Sequence, residues 1–151
     1  LQEWGYICSG IDTGFFKNGK LYEPNPVRTV RKDARSIKRQ NMLNPSNQKQ
    51  SYIESLINNK DPVIATSDYV RAYTQLISSY LKNKFTPLGT DGFGRSESRE
   101  ILRHFFEVDR YYIVLAGIRA LGLSGKIEKT KMQEAVKEYG IDPEKPSPIT
   151  V

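Results

Sequence analysis

The chain has 151 residues, with 23 lysines and arginines against 17 aspartates and glutamates, a formal net charge of +6, one cysteine and one histidine. That length suits one domain around one core, and a hydrophobic fraction of 38% beside a charged fraction of 26% excludes a disordered or fibrous chain. No stretch approaches the ~18 apolar residues of a membrane-spanning helix. Cys8 alone cannot close an internal disulfide and His104 alone cannot build a histidine-rich metal centre, so a reducing cytoplasm is the expected compartment.

Residues 1–28 hold neither a helical nor a strand period for more than a few positions, and Gly5, Gly10, Gly14, Gly19, Pro24 and Pro26 punctuate them. Within them 6–8 reads as a short strand, and 15–22 as two apolar arms around Asn18-Gly19, the signature of a hairpin. Positive charge then concentrates in Arg28, Arg31, Lys32, Arg35, Lys38, Arg39 and Lys49, with Asp33 the sole acid between 27 and 50. The spacing predicts a helix over about 29–42, with Val30, Ala34, Ile37 and Leu43 toward a core. Its basic face is either an ordinary solvated surface or a contact for an acidic protein or nucleic acid. No aromatic residue is interleaved with the charges, which argues against nucleic acid as a partner.

Beyond the helix-breaking Asn44-Pro45, residues 52–57 suggest a short amphipathic helix and 62–66 a strand buried on both faces. Ser67 or Thr66 is placed to cap a helix in which Tyr69, Val70, Tyr73, Leu76, Ile77, Tyr80 and Leu81 recur at intervals of three and four. Residues 85–89 form a second short strand, its Pro87 pointing to a sheet edge or a strand end. A loop over 90–94 leads into a helix starting near Ser96, with Ile101, Leu102, Phe105 and Phe106 on its buried side. Asp109 is expected to cap the following helix, whose apolar run 112–116 predicts burial all round, and Leu123-Ser124-Gly125 to end it. Thr130 and Gln133 read as a capping box for a last helix that stops at Gly140.

Few residues offer chemistry. Cys8 has no neighbouring cation to activate it, and His104, beside Phe105 and Phe106, reads as structural or interfacial. The glycines after Asp91 do not fit a phosphate-binding Lys-Ser/Thr motif. A geometric possibility is left: a strand, the loop 89–94 and a helix start carrying Ser96, with Arg95, Arg99 and Arg103 four residues apart. Gly92, Gly94, Arg95, Ser96, Arg99 and His104 are therefore the candidate anion-binding or interface residues, with free N–H groups and a positive dipole end to receive the anion. The alternative is a tight turn whose arginines pair with Asp91, Glu97 and Glu100. No catalytic, cofactor-binding or metal-binding residue is expected in this chain.

The same loop carries a resemblance. Leu88-Gly89-Thr90-Asp91-Gly92-Phe93-Gly94-Arg95-Ser96-Glu97-Ser98-Arg99-Glu100, with Leu102-Arg103-His104-Phe105-Phe106-Glu107-Val108-Asp109, resembles the C-terminal domain of the homodimeric, thiamine-diphosphate-dependent pyruvate dehydrogenase family. Arg39-Gln40-Asn41-Met42-Leu43-Asn44-Pro45, Tyr52-Ile53, Ala65-Thr66-Ser67-Asp68-Tyr69 and Gly140-Ile141-Asp142-Pro143 resemble it in the same order.

The resemblance implies an α/β, three-layer transketolase C-terminal-domain-like fold over 29–151, a small and mostly parallel sheet flanked by helices, preceded by a divergent segment over 1–28. It implies thiamine diphosphate and Mg in the full-length enzyme, and as partners the remaining domains, a second copy in a homodimer and the dihydrolipoyl acetyltransferase of the complex, with neither nucleic acid nor membrane among them. The family's cofactor signature is Gly-Asp-Gly followed later by an Asn pair. Thr90-Asp91-Gly92 lacks the first glycine and no Asn follows it, so this chain is expected to bind no thiamine diphosphate and to be inactive alone. The family's usual first strand is expected to be missing or replaced by residues 5–22. The chain is accordingly expected to be a fragment or truncated form of a longer enzyme.

Overall fold

A computed structural model describes residues 27–128 and 130–150, the side chain of Arg28 excepted, together with the backbone of three short strands near the start of the chain. In chain order the elements are β1 (Ile7–Ser9), β2 (Phe15–Lys17), β3 (Lys20–Tyr22), α1 (Val27–Leu43), α2 (Tyr52–Leu56), β4 (Val63–Val70), α3 (Arg71–Gln75), a 3-10 turn (Ser78–Tyr80), β5 (Phe85–Thr90), α4 (Arg99–Phe105), α5 (Arg110–Leu123) and α6 (Thr130–Glu138). Strands β1, β4 and β5 form one parallel sheet in that order, and β2 and β3 pair separately as an antiparallel hairpin. The α/β class and the parallel sheet agree with expectation. Position one in the sheet is held by β1, with Ile7 opposite Ala65 and Ser9 opposite Ser67. The sequence left open whether residues 5–22 supply a sheet strand, and β1 supplies one.

Helix α1 follows its pattern at Val30 and Ala34, both buried, and at Ile37, which is half-buried. Leu43 departs from it and is 56% exposed. The reason lies just after the helix, where Asn41 clasps Lys49, its amide donating to the Lys49 carbonyl and accepting from the Lys49 N–H, each at 2.8 Å. This clasp folds the following loop back along the helix end and leaves Leu43 outside it. At α2 the Ser51 hydroxyl and N–H both donate to Glu54, at 2.5 and 3.0 Å, while the Tyr52 N–H donates to Asp33 on α1 at 2.9 Å. Val27, Val30, Ala34, Ile53 and Ile77 form the main core, with Tyr52, Tyr73, Tyr80, Leu81 and Phe85 packed around it.

The helix expected after a Ser67 or Thr66 cap does not start there. Strand β4 continues to Val70, opposite Thr90 of β5, across a register irregularity after Thr66. Ser67 does not cap a helix; its hydroxyl accepts from the Tyr69 N–H at 3.0 Å. Helix α3 lasts five residues and a 3-10 turn carries the chain on. Pairing with β5 overrides the local 3–4 spacing, because Val70 suits extended backbone and its ladder partner, Thr90, comes from elsewhere in the chain. Gly89 permits the crossing. A Cβ there would lie 2.7 Å from the Arg71 Cα and 2.9 Å from the Tyr69 carbonyl oxygen, so no side chain fits.

Three further expectations need correction. The apolar helix α5 is half-buried along most of its length, with Ala120 its one buried residue. Apolar sequence all round does not by itself supply enough neighbours to cover it. Ile101, placed on the buried side of α4, is exposed. Thr130 is the first residue of α6 rather than its cap, and its hydroxyl donates to Glu128 at 3.4 Å; Lys129 lies outside the described residues.

Candidate functional site

The loop between β5 and α4 is tied down at its base. Asp91 pairs with Arg71 at 2.5 Å, and Gly92 turns the chain with φ at +77°, a conformation that favours glycine. Phe93 projects from the loop with 96% of its surface exposed. Helix α4 starts at Arg99, three residues after Ser96, and Ser98 is its cap, accepting from the Ile101 N–H at 3.4 Å. The turn of free N–H groups expected at Ser96 is therefore loop, and Ser98 occupies one donor of the short helix behind it.

The expected pairing of the loop arginines with Asp91, Glu97 and Glu100 is replaced by another arrangement. Arg95 lies over the Phe105 ring, 4.4 Å from its centre. Asp91 is taken by Arg71, and Arg103 reaches Asp68 at the end of β4 at 3.3 Å. Gly94, Arg95 and Arg99 line a shallow cleft of about 380 Å³, with Arg103 and Asp68 at its back. Gly92 and Ser96 lie outside it.

On the other side of Arg103 a broader, open cleft of about 1030 Å³ contains His104, with Ser67, Asp68, Asp109 and Tyr111 among its walls. His104 is held by its Nδ1, 2.8 Å from Asp109 Oδ2, and its ring lies 5.6 Å from that of Tyr112. The other carboxylate oxygen of Asp109 accepts from the Tyr111 and Tyr112 N–H groups at 2.9 and 3.0 Å, capping α5 as the sequence predicts. One carboxylate thus fixes both the imidazole and a helix start.

The end of α4 is closed by a left-handed residue. Glu107, at φ +61°, donates its N–H to the His104 carbonyl at 3.3 Å, and Val108 donates to the Arg103 carbonyl at 2.9 Å, the two bonds of a Schellman closure. Lys145, from the tail, completes it. Its ammonium donates to the Phe105 carbonyl at 2.8 Å and to Glu107 at 3.1 Å and lies 5.3 Å from the centre of the Tyr112 ring. Burial, and then the carboxylates of Glu107, Asp109 and Asp142, raise the Tyr112 phenol above its ordinary range.

Sequence reasoning missed Arg71, Asp68 and Lys145. The first two stood in a segment read as helix, and nothing in the Pro-rich tail marks Lys145 as an anchor. The clefts carry charges of both signs, and among the described residues no three His, Cys, Asp or Glu side chains converge as a metal site would need. The arrangement is suited to contact and positioning.

The sequence profile of the transketolase-like TK C-terminal domain family matches residues 29–109, from α1 through the Asp109 cap. The chain is 45% identical over 122 residues to the pyruvate dehydrogenase E1 component of Cupriavidus necator and 46% identical over 123 residues to that of Pseudomonas aeruginosa, each match covering 80% of this chain and 14% of the relative. It is 35% identical over 130 residues to the Escherichia coli K12 protein of the same name, again 14% of that protein. The chain therefore spans about a seventh of the length of these relatives. With β1, β4 and β5 in a parallel sheet and the matched segment running through both clefts, the chain belongs to the transketolase-like C-terminal domain family.

Proposed function

We propose that this chain serves as the C-terminal domain of a pyruvate dehydrogenase, the component that decarboxylates pyruvate and passes the acetyl group to lipoyl on the acetyltransferase of a multienzyme complex in the cytoplasm. The observation that carries the reading is the 45% identity over 122 residues to a pyruvate dehydrogenase E1 component. In this reading thiamine diphosphate and Mg are bound by other domains of a homodimeric enzyme, a reading supported by Thr90-Asp91-Gly92, which lacks the first glycine of the Gly-Asp-Gly signature. The domain's part is to support the assembly through the clefts around Arg95, Arg99 and His104, and alone it turns over no pyruvate.

The test is a chimera in which residues 29–151 replace the corresponding segment of the Cupriavidus necator enzyme. Pyruvate-dependent reduction by the chimera is the expected result. A folded chimera of native oligomeric size with no turnover overturns the reading.

A second reading is a stand-alone module that binds a phosphorylated ligand at loop 89–96, favoured by the placing of Gly94, Arg95 and Arg99 around one cleft. It requires heat on titration with inorganic phosphate, lost on Arg99→Ala.

A further inference from the structure

Helix α1 carries a feature that the catalytic reading does not use. At 3.6 residues per turn, Lys32, Arg35, Arg39 and Leu43 fall along the face opposite Val30 and Ala34, at intervals of three, four and four. All four are exposed, as are Arg31 and Lys38 along one flank of the stripe. Among the described residues no ion pair reaches any of these five cations. Asp33, the sole acid of the helix, accepts from the Tyr52 N–H and faces α2. Arg31, Arg35 and Arg39 follow one another at i, i+4, a spacing at which like charges destabilise a helix. Nothing inside the described residues compensates for that cost.

The stripe ends on apolar surface. Met42 is 74% exposed and Leu43 56% exposed, at the point where the Asn41 clasp turns the chain away. A nucleic acid would gain from the cations but little from these two side chains, and the outward face has no aromatic on which a base could stack. Tyr80 lies under Lys38, 5.7 Å from its ammonium, and packs against the core.

We propose that the outward face of α1 is a docking surface for an acidic polypeptide segment of a partner protein, its carboxylates meeting Lys32, Arg35 and Arg39 and an apolar residue beyond them meeting Met42 and Leu43. The cations set the encounter rate and register, and the apolar end selects protein over other polyanions. This inference stands apart from the pyruvate dehydrogenase reading and does not depend on it.

The test uses the full chain and a fluorescein-labelled peptide of glutamates ending in two leucines, followed by fluorescence anisotropy at low salt. A glutamate peptide of equal charge without leucines, a thymidine oligonucleotide of equal charge and phosphatidylserine vesicles serve as competitors. Binding should weaken about tenfold in Arg35→Glu/Arg39→Glu and stay unchanged in the α6 variant Lys137→Glu. Leu43→Ser should abolish the preference for the leucine-ended peptide. Arg35→Gln should weaken binding while its melting temperature holds or rises, separating docking from folding. No peptide binding, binding indifferent to Arg35 and Arg39, or tighter binding of the oligonucleotide or the vesicles through the same residues would each overturn the proposal.

Discussion

Around α1 and α2, Val27, Val30, Ala34, Ile53 and Ile77 bury one another, and the polar residues at the edge serve mainly to aim the helices. Around α4 and α5 the apolar side chains are mostly half-buried, and the segment is fixed by two groups that each serve more than one contact, Asp109 and Lys145. The first region is governed by volume and the second by polar geometry. A volume-filled core tolerates a lost hydrogen bond at its rim, whereas a region fixed by shared polar groups transmits one lost carboxylate to several elements at once.

The contrast can be broken by comparing single substitutions, measured as urea midpoints. Ile53→Ala should cost most, about 2–5 kcal/mol, because the site is fully buried and closely surrounded. Asp109→Ala should cost about 1–2 kcal/mol through the lost cap, and Asp109→Asn, which can still cap, distinctly less. If Asp109→Ala proved as costly as Ile53→Ala, the division between the two regions would fall. Lys145→Met keeps the stem but removes the ammonium from the Phe105 carbonyl and Glu107, and about 1 kcal/mol is expected.

The smallest effect is a pH dependence in the first region. Donation from the Ser51 hydroxyl holds the Glu54 carboxyl below its ordinary range, joined by the Ser51 N–H and the charge of Lys82, while burial opposes them. A carboxyl depressed on folding contributes stability that is complete above its unfolded value and lost as pH falls through the folded one. Wild type and Glu54→Gln should therefore differ at neutral pH and converge on acidification below about pH 4. A difference that grows on acidification would contradict the assignment.

What could be read from sequence follows the range of the determining contact. The Asp109 cap, the end of α5 at Gly125 and the stop at Gly140 depend on neighbours within a few residues, and the structure places all three as expected. The fate of residues 67–81 was illegible because Val70 is extended by its partner Thr90, while the 3–4 spacing of apolar residues described only the local chain. The candidate site was legible in composition but not in connection. Arg95, Arg99 and His104 were visible as candidates, yet the partners that position their surroundings, Asp68, Phe105 and Lys145, come from a strand, a helix end and the tail. The exposure of Leu43 is hidden for the same reason, since the clasp joins the Asn41 side chain to the Lys49 backbone, eight residues on, and no period connects them.

The proline of β5 has a consequence for how the molecule meets its own copies in concentrated solution. Val63 donates its N–H to the Lys84 carbonyl, and in a parallel ladder this alternation turns Thr86 and Leu88 toward β4 and the nitrogen of Pro87 away from it. Among the described residues β5 is the outer strand, so the missing N–H falls on the open side. A stray strand adding there would find a gap in the row of donors, and this edge is thereby a poorer template for edge-to-edge aggregation.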